Sequence, residues 1–323
     1  MRTVLARIWL AALIAVFAVL SSAGAAPANH VSCGDVITQD TKLDSDVVCT
    51  GGTQDPLIGV AIGADGVRFD LDGFSILGPN RGEQVEDVQA GISTNGALRG
   101  VTIKDGTIQG FSEGLVLDLS GSAIRGLTSF GRLTLRGDGN VVRDSYTTDG
   151  DTGLVVRGED NRVLRNYAFG FDGEGIDVRG PRNRVIGNTG ESFISAGIRV
   201  SEFTDVLLKD NVGSSGVGDG IALVDGSGGV VEKNVANDND SSVGIAVLAD
   251  NLLIRKNEAS RNDRHGIAVF GTGNTIRQNV ANDNNPEDLS VYGIYAVAGN
   301  LDGGGNRASG NGAPQQCFGV LCR

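Results

Sequence analysis

Several residue types are nearly missing from this chain, and each shortage excludes something. Trp9 is the only tryptophan, and it lies in the first apolar run, so the rest of the chain lacks the largest flat ring on which a sugar can stack. Basic residues are the minority, 27 against 39 acidic ones, giving a net charge of −12. That balance argues against nucleic acid, whose binding depends on Lys and Arg neutralising phosphates. It also disfavours an anionic membrane surface and repels an acidic polysaccharide unless divalent cations bridge the two. After Leu20 no apolar run approaches the roughly 20 residues a membrane-spanning helix needs, so no membrane insertion is expected. Helical periodicity is absent, and proline is scarce at 6 residues.

The N-terminus is the one long apolar stretch. Arg2 and Arg7 precede the run Ile8 to Leu20, and Ser21-Ser22-Ala23-Gly24-Ala25 follows it. A charged start, an apolar run and an Ala-x-Ala ending read as a secretory signal peptide over residues 1–25. The mature protein is then secreted, to the periplasm or the cell exterior, where disulfides form. Its four cysteines fit: Cys33 and Cys49 bracket the first segment, Cys317 and Cys322 the last. Three pairings are possible. The local one, Cys33–Cys49 with Cys317–Cys322, is expected because the two pairs sit at opposite ends of a long array.

What the chain has in abundance is glycine, 50 residues, much of it in a repeat. Gly153-Leu154, Gly175-Ile176, Gly197-Ile198, Gly220-Ile221, Gly244-Ile245, Gly266-Ile267 and Gly293-Ile294 open successive copies 22 to 27 residues apart. Asn166, Asn188, Asn211, Asn234, Asn257, Asn279 and Asn306 run in step. A fixed period of this length marks units that cannot bury their apolar face alone and must stack. Within a copy, Ile176 and Val178 alternate with Asp177 and Arg179, the period-2 pattern of a strand. Turns rich in Gly, Asn and Asp follow. Stacked in register, such coils place Leu154, Ile176, Ile198, Ile221, Ile245, Ile267 and Ile294 in one inward column. The Asn column has a structural role, amides about 4.8 Å apart bonding to one another and to the turn backbone.

Gly-Ile-x-Val followed by Asn-x-Val-Ile-x-x-Asn resembles the right-handed parallel β-helix repeat family, over about residues 67–312. Its members include pectate lyases, polygalacturonases, mannuronan epimerases and periplasmic copper-processing NosD-type proteins. The resemblance implies an all-β, single-stranded right-handed parallel β-helix, of about 11 coils and roughly 50 Å at the strand spacing. Residues 26–66 are expected as an N-terminal cap closed by a disulfide, and 313–323 as a C-terminal disulfide tail. Most enzyme signatures of the family are missing. The paired Asp-Asp and Gly-His-Gly of polygalacturonases are absent, as is the Tyr-Gly-x-x-Pro-His-Asp segment of mannuronan epimerases. With two histidines and Met1 the sole methionine, the chain lacks the richness of a copper handler.

In such enzymes the site lies on the outer face of one strand column, and here two features break that face. Asp172, Glu174, Asp177, Arg179, Arg157 and Arg199 form a charged cluster on the middle coils. A lyase-like reading makes Asp177, Arg179 and Arg199 catalytic, an arginine serving as base or clamp for a uronate, with Arg157 and Glu174 binding substrate. Asp172, Glu174 and Asp177 would then offer oxygen ligands to Ca²⁺. The plainer reading is a cross-coil ion pair of Asp177 with Arg199. Second, Ala222, Val224, Ala246, Leu248, Ala268, Phe270, Tyr295 and Val297 form an apolar outer stripe. Either the C-terminal tail covers it through Phe318, Val320 and Leu321, or Phe270 and Tyr295 stack on sugar rings. His265 is expected as an isolated surface histidine, since Asp219, two coils away, lies about 10 Å off. The Asn-Asp loops at 237–240 and 282–284 are expected as ordinary turns. With no complete catalytic set, the expectation is a non-catalytic, monomeric protein presenting its long face to a polysaccharide or cell-surface partner. A Ca²⁺-assisted polysaccharide lyase or epimerase is the alternative.

Overall fold

The structure, a computed structural model, describes residues 30–50, 57–79 and 90–323; the expected signal peptide lies outside the described residues. The chain winds as a parallel β-solenoid of about 12 turns, close to the 11 expected, and no helix occurs among the described residues. A typical coil holds three short strands, Leu154–Arg157, Arg162–Leu164 and Tyr167–Phe171. Each pairs in parallel with its counterpart one coil on, Glu174–Arg179, Arg184–Ile186 and Thr189–Phe193. Three sheets therefore run the length of the molecule. In the later coils the first two strands fuse, as in Asp219–Glu232 and Ile245–Arg255.

The segment expected as an N-terminal cap contributes the first coil. Asp35–Ile37, Thr41–Lys42 and Val47–Val48 pair with Ile58–Ile62, Arg68–Asp70 and Ser75–Leu77. Cys33–Cys49 closes that coil and Cys317–Cys322 the last. The inward column falls in register from Leu154 to Ile294 and continues to Cys317. Its members are buried.

Each constant position of the repeat has a separate physical cause. A Cβ on Gly175 would stand 2.7 Å from the carbonyl oxygen of Gly197, and one on Gly197 would stand 2.7 Å from Gly220 O and 2.6 Å from the Phe193 ring. The glycines are therefore stacked so closely that no side chain fits between coils. The residue before each Asn of the ladder is left-handed: Arg165 (φ 51°), Asp210 (54°), Lys233 (56°), Lys256 (57°) and Gln278 (56°). That kink turns the chain and aims the next amide inward. Asn211 donates from its backbone N–H and its Nδ2 to Asn234 Oδ1, at 3.0 and 2.9 Å. Asn234 does the same to Asn257 Oδ1, and its Nδ2 also reaches Leu208 O at 3.0 Å. The ladder runs unbroken from Asn166 to Asn306.

A second ladder of the same geometry runs Asn239, Asn262, Asn284, Asn311. Gln316 terminates it, its Oε1 accepting from Asn311 N and Nδ2. The Asn-Asp loops thus supply ladder rungs as well as turns.

Replacing a mid-ladder rung leaves two buried donors of the preceding Asn without an acceptor, at about 1–3 kcal/mol each. Asn234→Ala is expected to destabilise the protein by about 2–5 kcal/mol, read from thermal or denaturant unfolding. A loss under about 0.5 kcal/mol, the size of an ordinary surface change, would deny the ladder its structural role.

Candidate functional site

The outer face of the first sheet follows the register of the inner one. From Val155 the column runs through Asp177, Arg199, Ala222, Ala246 and Ala268 to Tyr295 and Phe318. The structure resolves this face into a charged middle and an aromatic end.

In the middle, the predicted cluster comes together only in pairs. Arg179 lies over Asp177, its Nε and Nη2 both 2.8 Å from Asp177 Oδ2, so Asp177 is buried although it points outward. Asp177 Oδ1 has no partner. Arg199, its register neighbour, reaches Glu174 instead, Nη1 to Oε1 3.2 Å, in place of the Asp177–Arg199 pair expected. Ser195 Oγ shares the same Glu174 oxygen at 3.3 Å. The Asp177 carboxylate pushes the Arg179 guanidinium further above its already high range, which makes Arg179 a poor base and leaves it the role of a clamp. Arg157 stands in register between Arg136 and Arg179. With Gly158, Arg179, Gly180 and Glu202 it lines a shallow hollow of about 320 Å³.

Asp172, Glu174 and Asp177 do not converge. Asp172 lines a separate hollow with Phe193, Ile194 and Val217, while the other two carboxylates are turned to arginines. Among the described residues no three His, Cys, Asp or Glu side chains gather as a metal-binding group. The residues present do not fit a Ca²⁺ site.

The aromatic end is more enclosed. A hollow of about 640 Å³ is lined by Ser241, Val243, Asp263, Arg264, His265, Phe270, Asn285, Asp288, Ser290, Val291, Tyr292 and Tyr295. His265 is not isolated: it stacks on Tyr295, centroids 5.1 Å apart and 7° from parallel. Tyr295 in turn stacks on Phe318 of the next coil, 5.2 Å and 13°. Phe270 and Tyr292 lean against this pile at 47°. Because His265 and Phe318 approach Tyr295 from opposite coils, Tyr295 is the keystone of the stack rather than an open platform. Open ring surface belongs to Phe270, 48 % exposed, and Phe318, 43 %.

The C-terminal tail does not cover the apolar stripe. Cys317 and Phe318 pair with Ile294 and Tyr295, so the tail adds a rung to the column and leaves Leu248 and Phe270 exposed.

The wall of the hollow comes from the irregular coil. Eight residues lie between Asn284 and Gly293, where three lie between Asn262 and Gly266. The additional chain is pinned by Asp288 N–H to Asn285 O, 3.2 Å, and Val291 N–H to Asp288 O, 2.9 Å. Ser290 donates to Asp288 Oδ1 from N–H (2.9 Å) and Oγ (2.7 Å), holding that carboxyl below its usual range. The sequence offers no pattern for Arg264 or Asp288 and shows His265 as isolated, yet the 27-residue spacing marks the place.

His265 has a fixed tautomer. Tyr292 N–H donates to Nδ1 at 3.0 Å, so the proton of the neutral ring sits on Nε2. Burial, and then Arg264 beside it, lower its pKa below the usual 6.5. The folded ring is thus neutral where the unfolded chain, below about 6.5, would bind a proton. The folded state loses stability as pH falls through 6.5 towards the lower folded value, and the effect is absent above that window. His265→Gln is expected to flatten this part of the melting-temperature profile between pH 7.5 and 5. Parallel profiles for the two proteins would show that His265 is not held neutral.

Comparison with known proteins supports the architecture. The family described as "Right handed beta helix region" matches residues 131–251 and 174–321. No curated protein matches the sequence. Among solved structures, the A-module of a mannuronan C-5 epimerase from Azotobacter vinelandii is similar with a TM-score of 0.61 at 14 % identity, covering 90 % of this chain and 89 % of that one. The Dettilon tailspike protein gives 0.64 at 16 %, over 83 % of this chain and 60 % of its own. An α-1,3-glucanase catalytic unit from Streptomyces thermodiastaticus gives 0.51 at 13 %, over 85 % and 62 %. At these identities the likeness is one of fold.

Proposed function

The chain belongs to the right-handed β-helix family, and on that footing we propose that it is an exported, non-catalytic polysaccharide-binding solenoid whose binding site is the aromatic end of the first sheet's outer face. The observation that carries this reading is the hollow itself: about 640 Å³, walled by an inserted loop and lined by Tyr292, Tyr295 and the half-exposed ring of Phe270. A glycan seated in this hollow would set the apolar face of a ring on Phe270 and its hydroxyls against the polar wall, the usual division of labour in a small-ligand site. Structural neighbours named as a mannuronan epimerase and an α-1,3-glucanase lend the carbohydrate reading support from their shared fold. Two disulfides are consistent with export, and among the described residues no helix is long and apolar enough to cross a membrane.

The middle cluster supports lyase or epimerase chemistry less well. Its Asp177 is capped by Arg179, and Arg199 is engaged by Glu174. Neither arginine is free to take a proton.

Affinity electrophoresis against a polysaccharide panel tests the proposal. Phe270→Ala is expected to weaken binding of the retained glycan about five- to tenfold, the size of about 1–1.4 kcal/mol, while Arg179→Ala leaves it within twofold. Loss of binding in Arg179→Ala with none in Phe270→Ala would move the site to the middle coils.

A further inference from the structure

Acidic groups outnumber basic ones around the aromatic hollow. Arg264 Nε donates to Ser241 O at 3.0 Å. Asp263 Oδ2 accepts from Ser241 N–H at 3.0 Å, and Asp288 Oδ1 holds Ser290. Two carboxylates therefore face the hollow against one guanidinium, and His265 adds no charge at neutral pH. Uncharged polar groups line it as well: the hydroxyls of Tyr292 and Tyr295 and His265 Nε2–H.

We infer that this hollow takes an uncharged sugar ring and discriminates against uronates. A neutral hexose brings hydroxyls that both donate and accept, matching two tyrosine hydroxyls and one imidazole N–H. A uronate carboxylate would need a free cation or an array of donors to replace its water. It would instead meet two carboxylates and one guanidinium that already interacts with Asp288, in a chain of net charge −12. Arg157, on the charged middle coils, lies six coils from Tyr295, about 29 Å at the strand spacing, beyond the reach of a short ligand seated at the rings. The inference rests on the glycan-binding reading and adds the ligand's charge class.

Trisaccharides are short enough to confine the test to the hollow. Cellotriose, mannotriose, maltotriose and xylotriose are compared with trigalacturonate and trimannuronate by calorimetric titration of the full chain at neutral pH and low salt. At least one neutral trisaccharide is expected to bind, at least tenfold more tightly than either uronate, with the affinity reduced in Phe270→Ala. The double variant Asp263→Asn, Asp288→Asn is expected to narrow the gap severalfold by strengthening uronate binding. A uronate that binds as well as the neutral sugars, in a manner sensitive to Phe270→Ala, overturns the charge class and leaves the glycan reading standing. Failure of every member to bind overturns both.

Discussion

Everything in this molecule depends on one constraint: a coil of about 22 residues can satisfy neither its apolar side chains nor its backbone without a coil above and below it. Parallel strand pairing meets part of that demand, and the Asn ladders meet the part that strands cannot, at the corners where the chain turns. There the left-handed residue, such as Lys233 or Lys256, aims the following amide inward, and each Asn completes its predecessor. A buried amide of this kind would be costly alone. In a column it is satisfied because its neighbours are identical, so the repeat is enforced by hydrogen bonding as strongly as by the apolar core.

The same constraint explains where the array can vary. Inward positions and glycine positions are fixed by contact with the next coil; a Cβ on Gly175 has nowhere to go. Outward positions of the first sheet touch neighbours only along their own column, so their chemistry can change from coil to coil without disturbing the stack. Val155, Asp177, Arg199, Ala246 and Tyr295 occupy equivalent places. Loop length can change too, provided the extra chain leaves and returns between two fixed rungs, as it does between Asn284 and Gly293.

Much of this was legible in the sequence because a period is a strong signal. The inward column from Leu154 to Ile294 and the ladder from Asn166 to Asn306 were both readable as columns. Side-chain direction over two or three ångströms was not. Register placed Asp177 beside Arg199, but Arg179, two residues along the same strand, is the closer partner, and Glu174 takes Arg199. The ladder through Asn239, Asn262, Asn284 and Asn311 was missed although it repeats with the spacing of the first, because those residues sit in strings that also read as turns. His265 was judged by its own column alone, whereas its stacking partner Tyr295 comes from a neighbouring column one coil on.

The hollow arises where the two freedoms of the array coincide. At Ala222, Ala246 and Ala268 the column is small and buried. At Tyr295 and Phe318 it becomes large, and the rings must go outward because the interior is full. In the same coil the chain lengthens, and residues 285–291 rise beside those rings instead of turning directly into the next strand. Large side chains without the loop would give an exposed patch; the loop without the rings would give a polar recess. Together they enclose a space with an apolar floor and a polar wall. A repeat protein acquires a site most readily where it stops repeating, and in this chain the break in side-chain size and the break in coil length fall at the same rung.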